Sequence, residues 1–154
     1  MKKINFVCLG NICRSPMAEF VFKDLVARAG KEKDFFVCSR ATSYEEEGNP
    51  VYPPARAVLA RHGISCSGKF AARLEKTDYD EYDLFVCMEE RNAQNALRIF
   101  GSDPKKKICL LLDFTDRKGN IADPYYTGDF DLTYRQILEG CRGLVSELLQ
   151  NETT

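Results

Sequence analysis

"VCLGNICRSPMAEF", residues Val7 to Phe20, starts like the end of a buried strand and finishes like the start of a helix. Between the two lie Cys8 and Arg14. A loop curling from strand to helix can turn its backbone N–H groups inward and form a concave nest for an anion. The helix behind adds the positive end of its dipole. Leu9, Gly10, Asn11, Ile12, Cys13, Arg14 and Ser15 would make up that cradle. Ser15 suits an N-cap and Pro16 a first helical position. Gly10 and Asn11 are residue types that tolerate positive φ. Arg14 offers a planar fork to two oxygens of a phosphate. The same positive field favours the ionised form of the Cys8 thiol, and a thiolate beneath a phosphate can attack phosphorus to give a cysteinyl-phosphate. Spacing alone is a weak signal, because Cys and Arg meet at this interval by chance and most buried cysteines are inert. The strand-to-helix placement, the Gly-Asn pair and Ser15-Pro16 strengthen it. The loop lacks the Gly-x-x-x-x-Gly-Lys-Ser/Thr pattern of a nucleotide P-loop.

Outward from this stretch, four short apolar runs stand out: Ile4 to Cys8, Phe35 to Ser39, Leu84 to Met88 and Ile108 to Leu112. They lack polar alternation, as do strands buried on both faces. Helical stretches alternate with them: Pro16 to Ala29, Pro54 to His62, Glu89 to Phe100 and Asp131 to Leu149. Gly30, Gly63 and Gly101 close the first three. In the last, Tyr134, Ile137, Leu138, Cys141, Leu144, Val145 and Leu148 share one face. The alternation predicts an α/β fold, a four-stranded parallel sheet with helices on both faces and right-handed crossovers. No repeat or linker interrupts it, so residues 1–154 read as a single domain. Ligands of such sheets sit beyond the carboxyl ends of the strands, where Cys8 lies.

Composition narrows the class. Hydrophobic residues make up 44% and charged residues 29% of the 154, and the net charge is −1. That balance gives no basic stripe for nucleic acid, and Lys105-Lys106-Lys107 reads as a solvated edge. No apolar segment is long enough to cross a membrane, and the basic start runs too soon into polar turn residues to be a signal peptide. The seven cysteines are odd in number, and Cys38, Cys87 and Cys109 fall in strand-like runs, which suits reduced thiols and a cytoplasmic location. With His62 alone and no CxxC pair, a Cys/His zinc site is not expected. No metal or cofactor is assigned.

The string "VCLGNICRSPMAE" closely resembles the low-molecular-weight protein-tyrosine-phosphatase family. The likeness continues through Ala41-Thr42-Ser43, Gly48-Asn49-Pro50, Arg61-His62-Gly63-Ile64, Cys87-Met88 and Ala122-Asp123-Pro124-Tyr125-Tyr126. It implies a four-stranded parallel α/β domain, no metal, and hydrolysis of phosphotyrosine and other aryl phosphates through a phosphocysteine. The implied partners are phosphotyrosine proteins or peptides, with inorganic phosphate or a similar oxyanion in the site; a monomer is expected.

Such chemistry needs a proton for the leaving phenolate, and a positioned acid contributes about 10²–10⁴-fold. Asp123-Pro124 is first of all a turn signal. It follows the fourth strand by a loop and can return to the edge that bears Cys8, where a neighbouring phosphate dianion would favour the protonated carboxyl. The resemblance makes Asp123 the general acid and later the base that activates water. It also makes Tyr125 a wall of the substrate pocket, while Tyr126 is balanced between pocket and packing. Ile12, Tyr44 and Glu45 complete the expected pocket. Ser15 could donate to the departing Cys8 thiolate. Asn11 and Ser39 match a hydrogen-bond network that shapes the loop. Family members place a His before an Ala-Arg pair in that network; here Ser67 to Arg73 has none, so the brace is left open. Glu89 could orient Arg14 or serve only as an acidic first-turn residue. His62 reads as a helix C-terminal residue. Cys13, five positions from Cys8, is an expected partner for a redox-sensitive disulfide.

Three other readings share the scaffold. An arsenate reductase needs two further relay cysteines, and the helix after Cys87 has none. A protein-arginine phosphatase carries Thr where this chain has Ile12, whose side chain better suits an aromatic ring. A catalytically idle phosphoprotein-binding module would be plausible if Cys8, Arg14 or Asp123 were missing.

Overall fold

The computed structural model describes residues 1–152; positions 153–154, which the sequence reading places in the domain, lie outside the described residues. Four parallel strands form one sheet in the order β2-β1-β3-β4, with β1 Lys2–Cys8, β2 Phe35–Ala41, β3 Leu84–Cys87 and β4 Ile108–Leu110. The helices are α1 Arg14–Arg28, α2 Pro53–Arg61, α3 Asp78–Glu81, α4 Glu90–Phe100, α5 Pro124–Thr127 and α6 Phe130–Glu152. The α/β architecture and the four alternations follow the sequence reading. No helix among the described residues is long and apolar enough to cross a membrane.

Strand periodicity divides the core in two. Ile4, Phe6, Cys8 and Val86 pack against α1, α2 and α6, where Met17, Phe22, Leu59, Ile137 and Cys141 are buried. Val7, Cys38, Phe85 and Cys87 face the other way, onto Tyr82, Ala96 and Phe100. Cys8 is therefore on the α1 side of the sheet at the carboxyl end of an inner strand. All seven cysteines are free, and only Cys109 is not fully buried.

The fourth strand is shorter than the expected Ile108 to Leu112. Leu111–Phe114 is instead a turn of 3₁₀ helix, begun where Asp113 Oδ2 accepts from the Leu110 N–H at 3.0 Å. Leu111 and Leu112 are buried, but by α6 rather than by sheet pairing. Two glycines allow that approach: a Cβ on Gly140 would lie 2.5 Å from Leu111 Cγ, and one on Gly143 would lie 2.0 Å from the Phe114 carbonyl oxygen. Each mid-helix glycine costs roughly 1 kcal/mol of helix propensity, which the close packing offsets. The short α3 and α5 lack the length for a periodic signal.

Helix α1 begins two residues earlier than the sequence suggested. Cys13 is its N-cap, so Ser15 and Pro16 lie inside the first turn. The Ser15 hydroxyl is thus released from capping and points into the loop.

Candidate active site

The loop after β1 closes around the Cys8 sulfur. Asn11 has φ 59°, the left-handed conformation its side chain tolerates, and its N–H donates to Cys8 Sγ at 3.2 Å. Gly10 does not need positive φ. A Cβ there would sit tightly, 3.3 Å from Glu46 Cγ, so glycine leaves room for the acidic segment beside the loop.

Two other segments are pinned to this loop by backbone bonds, and a third by the Arg14 side chain. Thr42 and Ser43 N–H donate to the Cys8 and Leu9 carbonyls, at 3.0 and 3.1 Å, continuing the β1–β2 ladder past the sheet. Tyr52 N–H donates to the Ile12 carbonyl at 2.7 Å. Arg14, 6% exposed, reaches across the strand ends: its Nη1 donates to the Ile121 carbonyl at 2.9 Å and to Glu89 Oε2 at 3.0 Å. Its Nη2 lies 3.6 Å from Asp123 Oδ2. Glu89 therefore holds Arg14 while serving as the N-cap of α4, where its own N–H donates to Asn92 Oδ1.

These pieces enclose a cavity of about 250 Å³ lined by Cys8, the loop residues Leu9 to Arg14, Glu45, Glu46, Asp123 and Tyr125. Asp123 is the N-cap of α5 and accepts from the Tyr125 N–H at 3.0 Å. Tyr125 stands against Tyr52 with ring centroids 5.2 Å apart, and Tyr52 stacks in turn on Phe130 at 5.9 Å. Burial raises the Tyr125 hydroxyl to about 12, so it remains a neutral donor at physiological pH. Burial, reinforced by the nearby Cys8, lifts the Cys13 thiol to about 12.

Of the expected site residues, Cys8 to Arg14, Glu45, Asp123 and Tyr125 meet in this cavity. Ser15, Ser39 and Glu89 support it from behind. Tyr44 and Tyr126 do not line it. Tyr126 is 89% exposed, because consecutive residues of a helical turn project about 100° apart and Tyr125 takes the inward direction. Tyr44 turns outward under Arg73, whose guanidinium lies 4.4 Å from its ring centroid and donates to its hydroxyl at 3.1 Å. His62 caps the end of α2 and stacks on Tyr134, with centroids 4.0 Å apart.

Sequence reasoning did not single out Glu46, Tyr52, Glu19 or Lys69. Glu46 belongs to the same acidic run as Glu45 and lines the cavity beside it. Glu19 falls four residues after Ser15, hence on the same face of α1. Its Oε1 accepts from Ser39 Oγ at 2.6 Å. Lys69 occupies the loop where a histidine was sought and donates to the Ser39 carbonyl at 2.8 Å. Among the described residues, no cluster of His, Cys, Asp and Glu is arranged to hold a metal ion.

The fold and site have close counterparts. Residues 3–154 match the family described as low molecular weight phosphotyrosine protein phosphatase. The low molecular weight protein-tyrosine-phosphatase YfkJ of Bacillus subtilis is 35% identical over 96% of both chains. Its crystal structure superimposes with a TM-score of 0.94, covering 98% of this chain and 96% of that one. A human low molecular weight phosphotyrosine protein phosphatase is 38% identical over 95% of each chain. The crystal structure of a Drosophila arginine phosphatase, 26% identical, superimposes with a TM-score of 0.84 over 96% of this chain and 98% of that one. The chain belongs to the low molecular weight phosphotyrosine protein phosphatase family.

Proposed function

We propose that this protein hydrolyses phosphotyrosine and related aryl phosphate monoesters through a cysteinyl-phosphate on Cys8. The observation that carries the reading is the convergence of Cys8, Arg14 and Asp123 on one small cavity with an aromatic wall. In the first step the Cys8 sulfur forms a bond to phosphorus as the phosphorus–oxygen bond to the phenol breaks. Arg14 binds two non-bridging oxygens, and loop N–H groups stabilise the charge that spreads over them. Asp123 gives its proton to the departing phenolate oxygen. In the second step Asp123 takes a proton from water as its oxygen attacks phosphorus and the sulfur–phosphorus bond breaks. Ser15 Oγ, 2.9 Å from Cys8 Sγ, is placed to donate to the sulfur as negative charge returns to it.

Substrate choice follows from the walls. Ile12 and Tyr125 present apolar surface to a flat ring, and Ile12 has no hydroxyl with which to engage a guanidinium. The fold alone does not choose, since it is shared with the Drosophila arginine phosphatase. We further read the chain as a cytoplasmic, metal-independent, single-domain monomer acting on phosphotyrosine proteins. The deciding experiment compares initial rates on matched phosphotyrosine, phosphoserine and phosphoarginine peptides. The phosphotyrosine peptide is expected to be hydrolysed fastest; preference for phosphoarginine would overturn the substrate assignment.

A further inference from the structure

Asp123 enters the cavity at the head of α5, a helix of only four residues. So short a helix has no cooperative stability of its own, and the place of the carboxyl is set by what holds the two ends. Within α5, Pro124 is buried and Tyr125 leans on Tyr52, while Tyr126 and Thr127 are exposed. At the exit Gly128 turns the chain with φ 70°. Asp129 then opens α6, its Oδ1 accepting from the Leu132 N–H at 2.9 Å.

The entry is held by side chains. Both backbone polar groups of Ala122, the residue before the acid, are met from α6. Its N–H donates to Gln136 Oε1 at 2.7 Å, and its carbonyl accepts from Thr133 Oγ1 at 3.0 Å. Positions 133 and 136 are three apart, so the two side chains stand one above the other on one helix face. The amide of Gln136 has one possible orientation here, because only its oxygen accepts from an N–H. Thr133 is 0% exposed. Its single proton has one other acceptor, the Asp129 carbonyl, at the longer distance of 3.4 Å.

One residue upstream the partners change. The Ile121 N–H donates to the Met88 carbonyl at 2.8 Å, and the Ile121 carbonyl accepts from Arg14 Nη1. Ile121 is thus tied to the end of β3 and to the anion cradle, whereas Ala122 is tied to α6. The division separates what places the guanidinium from what places the acid.

We propose that Thr133 and Gln136 are positioning residues for the general acid: by clamping Ala122 at both its N–H and its carbonyl, they set Asp123 at the height of the departing phenolate oxygen, a role that rests on the proposed function of Asp123 and extends it to α6. Loss of the clamp leaves the Ile121 bonds in place, so Arg14 and the phosphate site keep their geometry. The acid alone is displaced.

The test measures kcat/KM, which reports the step in which the phenol leaves, on aryl phosphates of graded leaving-group acidity, together with inhibition by inorganic phosphate. The variants are Gln136→Met, Thr133→Val and the pair, each also combined with Asp123→Ala. In the pair, kcat/KM is expected to fall by about tenfold for esters of weakly acidic phenols, within the range that a misplacement of up to an ångström costs. Esters of acidic phenols should react at near the parent rate, and phosphate should inhibit as in the parent. Thr133→Ser, which keeps the hydroxyl, is expected to restore much of the parent's dependence on leaving group. With Asp123→Ala already present, the clamp substitutions should cost nothing further. Folded variants with the parent's leaving-group dependence, a loss equal across the series, or a further loss on top of Asp123→Ala would each overturn the proposal. Should the pair not fold, Gln136→Met, at a partly exposed position, carries the same test alone. A steep leaving-group dependence in Asp123→Ala with none in Gln136→Met refutes the clamp and leaves the acid standing; equal losses across the series in Asp123→Ala itself refute the acid and the clamp together.

Discussion

Arg14 reaches the candidate acid as well as the anion cradle: its Nη2 stands 3.6 Å from Asp123 Oδ2 while Glu89 and the Ile121 carbonyl hold Nη1. The guanidinium thus faces a carboxylate when no substrate is bound. An entering phosphate dianion competes for the same fork and presses its own negative charge on Asp123.

Asp123→Ala should therefore have two effects. Hydrolysis of esters with poor leaving groups should fall by about 10²–10⁴-fold, and that of esters with acidic phenols far less. Inorganic phosphate should inhibit at least as well as in the parent, because Arg14 loses a competing anion. A series of aryl phosphates of graded leaving-group acidity checks the first point. Equal losses across the series would remove Asp123 from the acid role.

The Tyr125 wall depends on Tyr52, whose ring lies 5.2 Å away and is backed by Phe130. Aromatic pairs of this kind contribute about 0.5–1.5 kcal/mol. Tyr52→Ala should raise KM for aryl phosphates by roughly two- to tenfold, while inhibition by inorganic phosphate stays near the parent value. If phosphate binding weakens as much as KM rises, Tyr52 supports the loop through its backbone bond to Ile12 rather than the wall through its ring.

Cys13 is a poor nucleophile at neutral pH, since its thiol is lifted to about 12. Peroxide should oxidise Cys8 to a sulfenic acid, which Cys13 then attacks with loss of water to close a disulfide. Closure should be slow and should quicken as pH rises. Treating Cys13→Ser with peroxide and then a thiol reductant is the check. Recovery equal to the parent's would show that Cys13 takes no part.

Glu45 and Glu46 set two carboxylates at the cavity mouth, while the nearby aromatic Tyr44 is engaged with Arg73. Negatively charged peptides should bind less well. Glu45→Tyr should lower KM for phosphotyrosine peptides, acidic ones most, with less effect on kcat. Added salt should narrow the parent's distinction between acidic and neutral peptides, because exposed charges are screened. An unchanged KM together with an unchanged salt response would place the selective rim elsewhere.

What the sequence made legible was local. Strand, loop and helix at Val7 to Phe20 could be read because apolar run, turn residues and helical spacing follow one another along the chain. Asp123 was legible through the motif around it. Tyr126 was not separable from Tyr125, since which of two adjacent tyrosines turns inward depends on the orientation of α5. The 3₁₀ turn at Leu111–Phe114 reads as strand because its leucines are buried by α6, a contact made through Gly140 and Gly143 more than twenty-five residues later. Glu19 and Lys69 were hidden for the same reason. Each is an ordinary charged residue in sequence, and only the folding of α1 and the loop before Arg73 onto β2 buries them together.

The central claim is a covalent phosphate on Cys8. Rapid acid quenching during turnover of a good aryl phosphate, followed by peptide mapping, measures it directly. The account predicts a phosphorylated peptide containing Cys8 that forms no slower than phenol release, accumulates more in Asp123→Ala with that substrate, and is absent from Cys8→Ser, which should be folded, bind oxyanions and be inactive. Phenol release without a phosphorylated Cys8 peptide, or a Cys8→Ser protein that turns over at a comparable rate, would contradict it.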